Sequence, residues 1–368
     1  MSNTQRIDAL DVLRGLALAG MLLVNNPGDW GAVYSPLLHA SWHGLTPTDL
    51  VFPFFLFVVG AAMAYSFKAA IANRQFDWLS IYRRSFLLIA IGILLSAFPF
   101  QQSLSEWRLP GVLQRIGLCY FLVAVLLRYY RPKQLLFIGI ATLLAYWAAM
   151  AWYGSDIGTD PYAMQSNLPR QIDLMVFGEA HMWKGLGFAF DPEGLLSTLP
   201  AAVTCLSGYL VTLKLQTCAH AMQKIKFLLL AGIVAIGLGV LWHLVHPINK
   251  SLWTSSYVLV TSGIACICLA LIIFLWDSLR FRFALHALKV YGSNPILLFV
   301  LAGIVARALY LINIEVNGQT QSLKGFLYSG LAGTLPPKLA SLSFAVLFMM
   351  SFYLLALWLY KKKIFVKL

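Results

Sequence analysis

Ten apolar runs, each close to the length of a membrane-crossing helix, constrain this chain more than any other feature. They fall at about residues 10–27, 47–67, 84–100, 111–128, 134–152, 195–213, 226–245, 256–276, 290–312 and 339–360. A hydrocarbon core takes about 20 helical residues to cross, and only the third and fourth runs are a little short. Inside lipid every backbone amide and carbonyl must be satisfied within the protein, which leaves helices or a closed barrel. The runs are continuous rather than alternating, so helices are expected. Hydrophobic residues make up 60% of the chain and charged residues 11%, less than half the charged share of a soluble protein. The expected fold is an all-α polytopic membrane helix bundle of about ten transmembrane helices.

The net charge of +13 raises the question of a nucleic-acid partner, but its distribution answers it. With the N-terminus placed in the cytoplasm, 19 of the 27 basic residues fall on inside segments: Arg6, Arg14, Lys68, Arg74, Arg83, Arg84, Arg128, Arg131, Lys133, Lys214, Lys224, Lys226, Arg280, Arg282, Lys289, Lys361, Lys362, Lys363 and Lys367. Asp156, Asp160, Asp173, Glu179, Asp191 and Glu193 all fall in one outer loop. This asymmetry predicts both termini in the cytoplasm and makes the positive charge a topology signal, helped by anionic membrane lipid. No nucleic-acid partner is needed. The polar start MSNTQRIDALDVLRG, followed by a full-length run without a small-residue cleavage site, argues against a removed signal peptide.

The chain reads as a single transmembrane domain over 1–368 with one long outer, periplasmic loop at about 153–194, a candidate lid over an outward cavity. No internal repeat is evident, which weakens a transporter reading. The five cysteines lack metal-like spacing and read as small packing residues. Three segments carry helix-start chemistry: Thr46-Pro47 with Asp49, Asp191-Pro192-Glu193, and Asn294 before Pro295. Pro53 is expected to kink the second helix or loosen its hydrogen bonding.

Several polar residues need an explanation. Asp11 and Arg14 share a helix face at i,i+3 and, with Arg6 and Asp8, form a clasp that brings the first helix into the bilayer. Asn25 and Asn26 close the same helix, where a carboxamide can bond a neighbouring helix or hold a carbonyl oxygen. His39 and His43 at i,i+4 suggest zinc, yet no glutamate lies between them and Asp49 is the sole third ligand in sight. A histidine titrating near pH 6.5 can instead take a proton from an attacking amine or hydroxyl, and an interfacial histidine satisfied by loop backbone is the plainer alternative. Arg115 lies one turn into the fourth run, where an unpaired guanidinium costs about 2.5–3.5 kcal/mol. It must face water or the protein interior, holding either a ligand phosphate or an acid on another helix. Arg307 poses the same question. The segment HPINKSLWTSSY, with Asn249, Lys250, Trp253, Ser255, Ser256 and Tyr257, suits a hydroxyl-bearing ligand or a membrane-interface belt.

Taken in order, the segments RIDALDVLRG from Arg6, MLLVNNPG from Met21, HASWHGLTPTDLVFPFF from His39, PGVLQRIG from Pro110, DPEGLL from Asp191, NKSLWTSSY from Asn249 and GSNP ending at Pro295 resemble one family. This is the membrane-embedded heparan-α-glucosaminide N-acetyltransferases and their bacterial relatives, within the transmembrane acyl-transferase group. The resemblance implies a helical acyltransferase domain that takes acetyl-CoA as cytoplasmic donor and an amino sugar or glycan as acceptor on the periplasmic side of a bacterial inner membrane. It places the family's active histidine on His39 and its functional asparagine on Asn25. His43 stands where the lysosomal enzyme has asparagine, so no metal is expected. A homodimer is also implied. Arg84 and Arg115 are the candidates for the CoA diphosphate. Trp42, Asp49, Asp191, Glu193, Asn249, Lys250, Tyr257 and Asn294 are the candidates for the acceptor.

On this reading His39 is a general base on the acceptor, or a transient acetyl carrier, and Asn25 orients the thioester or stabilises charge on its oxygen. The fourteen residues from Asn25 to His39 can span about 45 Å extended, so nothing in the sequence brings them together. The competing class is a transporter or flippase for a polar small molecule or lipid-linked glycan.

Overall fold

In the computed structural model, residues 8–158, 160–316 and 318–366 are described. Arg6 and Lys367, two of the charges assigned to the inner face, lie outside them. The helices are α1 (Asp8–Asn25), α2 (Val51–Ser66, led in by a 3-10 turn at Pro47–Leu50), α3 (Lys68–Asn73), α4 (Trp78–Ala97), α5 (Val112–Tyr129), α6 (Pro132–Ile157), α7 (Leu168–Phe177), α8 (Thr198–Gln216) and α9 (Ala221–His243). They continue with α10 (Ser255–Ile273, extended by a π-helical turn at Phe274–Ser278), α11 (Arg282–Tyr291), α12 (Pro295–Leu311), α13 (Leu323–Ala332) and α14 (Pro337–Lys361). The fold is an all-α polytopic membrane bundle; a small antiparallel hairpin, β1 (Asn313–Val316) and β2 (Gln319–Ser322), is its one addition among the described residues.

Among the described residues eight helices are long and apolar enough to cross a membrane, and the bent pair α11–α12, taken as one span, makes a ninth. The remaining run is α1, whose 18 residues carry Asp8, Asp11 and Arg14. Those charges are neutralised locally. Arg14 pairs with Asp11 at 2.7 Å as the i,i+3 spacing predicts, and Lys289 on α11 pairs with Asp8 at 2.9 Å. Arg14 also donates to the Gly292 carbonyl. The ninth run is not one rod: its two helices meet at 79° around Gly292–Asn294, just before Pro295.

Local signals start the helices. The side chains of Asp77, Asn167 and Ser322 accept the backbone N–H of Ser80, Arg170 and Gly325 at the starts of α4, α7 and α13. The Asp77 cap starts the third run six residues before the apolar stretch begins at 84. Pro132, Pro295 and Pro337 occupy first helical positions, where no amide partner is lost. Pro53 falls in the first turn of α2, at the change from 3-10 to α-helical bonding.

α2, α5, α8 and α10 are mostly enclosed by protein, while α4, α6, α9 and α14 turn most of their surface outward. The outward face of α9 shows Leu230, Ile233, Val234, Leu238 and Leu241, an apolar belt of the kind that lipid covers and water does not. The inner helices close tightly where they are smooth. A methyl on Gly60 would overlap the Cys205 carbonyl, and one on Gly208 would overlap the Phe57 carbonyl.

Two expectations are corrected. The stretch 153–194 is not a bare loop, because α6 runs to Ile157 and α7 folds within it. Asp191-Pro192-Glu193 does not open a helix: α8 starts at Thr198. The Asp191 carboxylate is bound to Arg108 instead.

Candidate active site

The connection between α1 and α2 lies at the end of the bundle away from the first-helix charges, and one carboxylate organises it. Asp49 sits in the 3-10 turn and is 1% exposed. Its Oδ2 accepts the backbone N–H of Ala40 (3.1 Å), the backbone N–H of Thr46 (3.0 Å) and the Thr46 hydroxyl (2.9 Å). These bonds fold residues 40–46 around the carboxylate. Its Oδ1 faces His39 Nδ1 at 2.7 Å. An ionised carboxylate only accepts, so Nδ1 carries the hydrogen and Nε2 presents its lone pair. The His39 side chain is 48% exposed, so the ring is held from the protein side and open on the other.

The third member comes from the connection between α9 and α10. Lys250 Nζ lies 3.0 Å from His39 Nδ1 and 3.1 Å from Nε2, and 3.8 Å from Asp49 Oδ1. Burial lowers the Lys250 pKa, while Glu193 and Asp49 act to raise it. The segment presenting Lys250 is tied down on both sides. Asn249 Oδ1 accepts the Leu252 N–H at 2.9 Å, and its carboxamide nitrogen meets His43 Nδ1 at 3.3 Å. Trp253 is held in the left-handed region at φ 50°. Tyr257 donates its hydroxyl to the Asp49 carbonyl at 2.6 Å, joining α10 to the turn before α2. Trp42 donates to the Tyr162 carbonyl at 2.8 Å and packs edge-on against Phe190.

His246 is a member of this support that the sequence reading did not single out. It is fully buried, with Nε2 accepting the Ser255 N–H at 2.9 Å and Nδ1 against the Tyr162 hydroxyl at 2.8 Å. Burial pushes its pKa down to about 3, so it is neutral and braces the loop. Its signal in the sequence is HPINK, where the histidine stands three residues before Asn249 and four before Lys250.

A second ionic cluster holds the outer loop against α5. Arg108 Nε and Nη2 bond both oxygens of Asp191 at 2.8 and 2.7 Å, and Nη2 also bonds Glu193 at 2.7 Å. Both partners hold the guanidinium well above its ordinary pKa. Arg108 was also missed, although it stands in the same RLPGVLQRIG segment that drew attention to Arg115. Arg115 is fully buried, donates to the Gly194 carbonyl at 2.9 Å and to Ser197 Oγ, and lies over the Trp253 ring at 5.2 Å. Asp173 accepts the Leu195 N–H at 2.7 Å beside the same turn. Burial, with help from nearby Asp191, raises its pKa to about 7.

The other candidates separate. Asn25 lines a different cavity of about 300 Å3, together with Asn26, Arg307 and Lys324. Among the described residues no hydrogen bond joins Asn25 to His39, Asp49 or Lys250. Arg84 on α4 lies over the Tyr120 ring at 4.7 Å. Among the described residues Arg84 Nε and Arg115 Nε and Nη1 find no hydrogen-bond partner, and all three atoms are enclosed by protein. Asn294 is at the opposite end of the bundle. It donates to the Ile364 carbonyl at 2.9 Å and accepts the Val366 N–H at 2.8 Å, so its carboxamide clasps the end of the chain. Among the described residues no group of three or more His, Cys, Asp or Glu side chains is arranged to hold a metal.

Residues 6–171 match the model of the family described as heparan-alpha-glucosaminide N-acetyltransferase, catalytic. The span contains Asn25, His39, Asp49, Arg84, Arg108 and Arg115, while Lys250 lies beyond it. The heparan-alpha-glucosaminide N-acetyltransferase of Mus musculus is 29% identical over 366 residues, covering 80% of this chain and 54% of the mouse protein. The Homo sapiens protein of the same name is 42% identical over 127 residues, covering 33% of this chain and 19% of its own length. The chain thus spans about half the length of the mouse relative and a smaller part of the human one. The matched region holds the histidine–carboxylate pair, and the chain, a polytopic helix bundle, is similar to the heparan-α-glucosaminide N-acetyltransferases.

Proposed function

We propose that this protein is a transmembrane acyltransferase, one domain over 1–368, that moves an acetyl group from acetyl-CoA to an amine, or a hydroxyl, of a sugar or glycan. The observation that carries the reading is the His39–Asp49 pair at 2.7 Å, with Lys250 at 3.1 Å from Nε2. Asp49 fixes the tautomer and leaves Nε2 basic. Lys250 Nζ lies nearly equidistant from the two ring nitrogens, at 3.0 and 3.1 Å, beside the ring rather than along the in-plane Nε2 lone pair, which is left to the acceptor.

The reaction balances simply. The acceptor ammonium gives one proton to solvent and attacks the thioester carbonyl carbon as the neutral amine. As the C–N bond forms, His39 Nε2 takes a second proton from that nitrogen, and as the C–S bond breaks the imidazolium returns it to the departing sulfur. Charge that develops on the carbonyl oxygen is met by Lys250, and by Asn25 if the thioester extends toward its cavity. Asp49 touches neither substrate and acts through His39 as a positioning residue. Arg84 and Arg115 are the cations proposed to hold the CoA phosphates. Trp42, Asn249 and Tyr257 shape the loop around the acceptor, and Asp191 and Glu193 hold the outer segment through Arg108.

The basic residues on α1, α11 and the end of α14 support cytoplasmic termini, which put His39 on the periplasmic side of a bacterial inner membrane. The donor would then arrive from the cytoplasm. The test is incubation of membranes containing the protein with labelled acetyl-CoA and a panel of amino sugars, with products read by mass. Product formation that is lost in His39→Ala supports the reading. Concentration-dependent uptake of an amino sugar without acetylation would favour the transporter instead. Protection against thermal unfolding by acetyl-CoA also separates the two, because a ligand that binds only the folded state raises the midpoint.

A further inference from the structure

The cavity that contains Asn25 has a chemistry of its own. Its walls are apolar, with Leu22, Leu95, Phe299 and Phe348 among them, but two cations enter it: Arg307 from α12 and Lys324 from α13. None of its lining residues is acidic. Arg307 and Tyr310 share one face of α12 at i,i+3, and the Tyr310 hydroxyl meets Lys324 Nζ at 2.6 Å. Lys324 is 6% exposed, and its ammonium lies over the Tyr310 ring at 4.5 Å and the Phe344 ring at 5.6 Å. Among the described residues Arg307 makes one hydrogen bond, to the Gly303 carbonyl of its own helix, at 3.3 Å. Among the described residues neither cation has a carboxylate within ion-pair distance. Two positive charges at the membrane end of an apolar cavity are costly without a counter-charge.

We propose that this cavity binds a lipid with a phosphate headgroup, the phosphate between Arg307 and Lys324 and the chain along the Phe299, Phe344 and Phe348 side. Charge complementarity selects the head, because a phosphate offers acceptors to a guanidinium and an ammonium at once. The apolar lining selects the tail, since a free anion leaves that surface uncovered. Asn26 would hydrogen-bond a polar group carried on the phosphate. The proposal does not depend on the acetyl-transfer reading. Binding is measured without acetyl-CoA or acceptor, so failure of one leaves the other standing.

The experiment uses the full chain purified in dodecyl maltoside, titrated with dodecyl phosphate while the thermal midpoint is followed. The expected result is a saturable rise in the midpoint with dodecyl phosphate and none with equal added dodecyl maltoside. Apparent affinity should fall roughly tenfold or more in Arg307→Gln and in Lys324→Met, in line with loss of one charge-assisted contact. It should be unchanged in Lys184→Gln, whose side chain is exposed elsewhere. If either charge variant fails to fold, Gly303→Leu supplies the second arm. A side chain at Gly303 meets Leu95 and the Arg307 guanidinium, and so narrows the cavity while keeping both charges. It should weaken binding comparably. Equal affinity in wild type and all three cavity variants overturns the proposal. So does equal stabilisation by inorganic phosphate or coenzyme A at matched phosphate concentration, which would assign the cavity to a free anion.

Discussion

Replacing Asp49 by Asn separates the chemical work of this carboxylate from its structural work. Two backbone N–H groups and one hydroxyl point at Oδ2, so the carboxamide oxygen must take that position. The amide NH2 then faces His39 Nδ1 and is a donor, so Nδ1 must become an acceptor and the ring hydrogen moves to Nε2. The base is lost while the loop keeps its anchors. Acetyl transfer should fall by about 10²–10⁴-fold in kcat, the usual worth of a positioned general base, with KM for acetyl-CoA little changed. Stability should fall only by about 1.5–3 kcal/mol, one hydrogen bond to a charged group. Asp49→Ala is the structural contrast. It leaves the N–H groups of Ala40 and Thr46 unmet at about 1–3 kcal/mol each and should unfold the 40–46 loop. The assay is turnover with labelled acetyl-CoA and an amino sugar, run beside thermal melts of both variants. Activity of Asp49→Asn within about threefold of wild type, against the 10²-fold minimum, refutes the tautomer argument. So does a melt as impaired as that of Asp49→Ala.

Other outcomes follow from the same structure. His39→Ala should abolish acetyl transfer while lowering stability by no more than about 1.5–3 kcal/mol, the hydrogen bond to Asp49, because its side chain is half exposed and its loop is held by Asp49. Arg108→Gln should lower stability by about 3–5 kcal/mol, since it strands the buried Asp191 carboxylate; a midpoint within error of wild type would contradict this. Asp173 has a pKa raised to about 7 from 3.8, so the folded state holds a proton that the unfolded state releases between those values. Its contribution to stability therefore falls as pH rises from about 4 to 7, by up to about 4 kcal/mol. Melts across that range should show the slope in wild type and a reduced one in Asp173→Asn. Gly208→Val should destabilise by about 1–3 kcal/mol or more through overlap with the Phe57 carbonyl, checked by the same melts.

Features that depend on neighbours a few residues away are legible in the chain before it folds. The apolar runs predict helices because a continuous stretch of that length has one way to satisfy its backbone in lipid. The Asp11–Arg14 pair follows from the helical repeat, and the Asp49–Thr46 contacts from their three-residue spacing. The family resemblance rested on such local segments, His39 among them. Tertiary packing decided what faces what over long separations. Lys250 reaches His39 across 211 positions and Arg108 reaches Asp191 across 83, and no periodicity in the chain encodes either. Packing also sent Asn25 to a cavity with Arg307 and Lys324 and put Asn294 onto the chain's last described residues. A local pattern fixes which way a helix presents its face, but only the arrangement of all the helices determines which other charge occupies the space opposite.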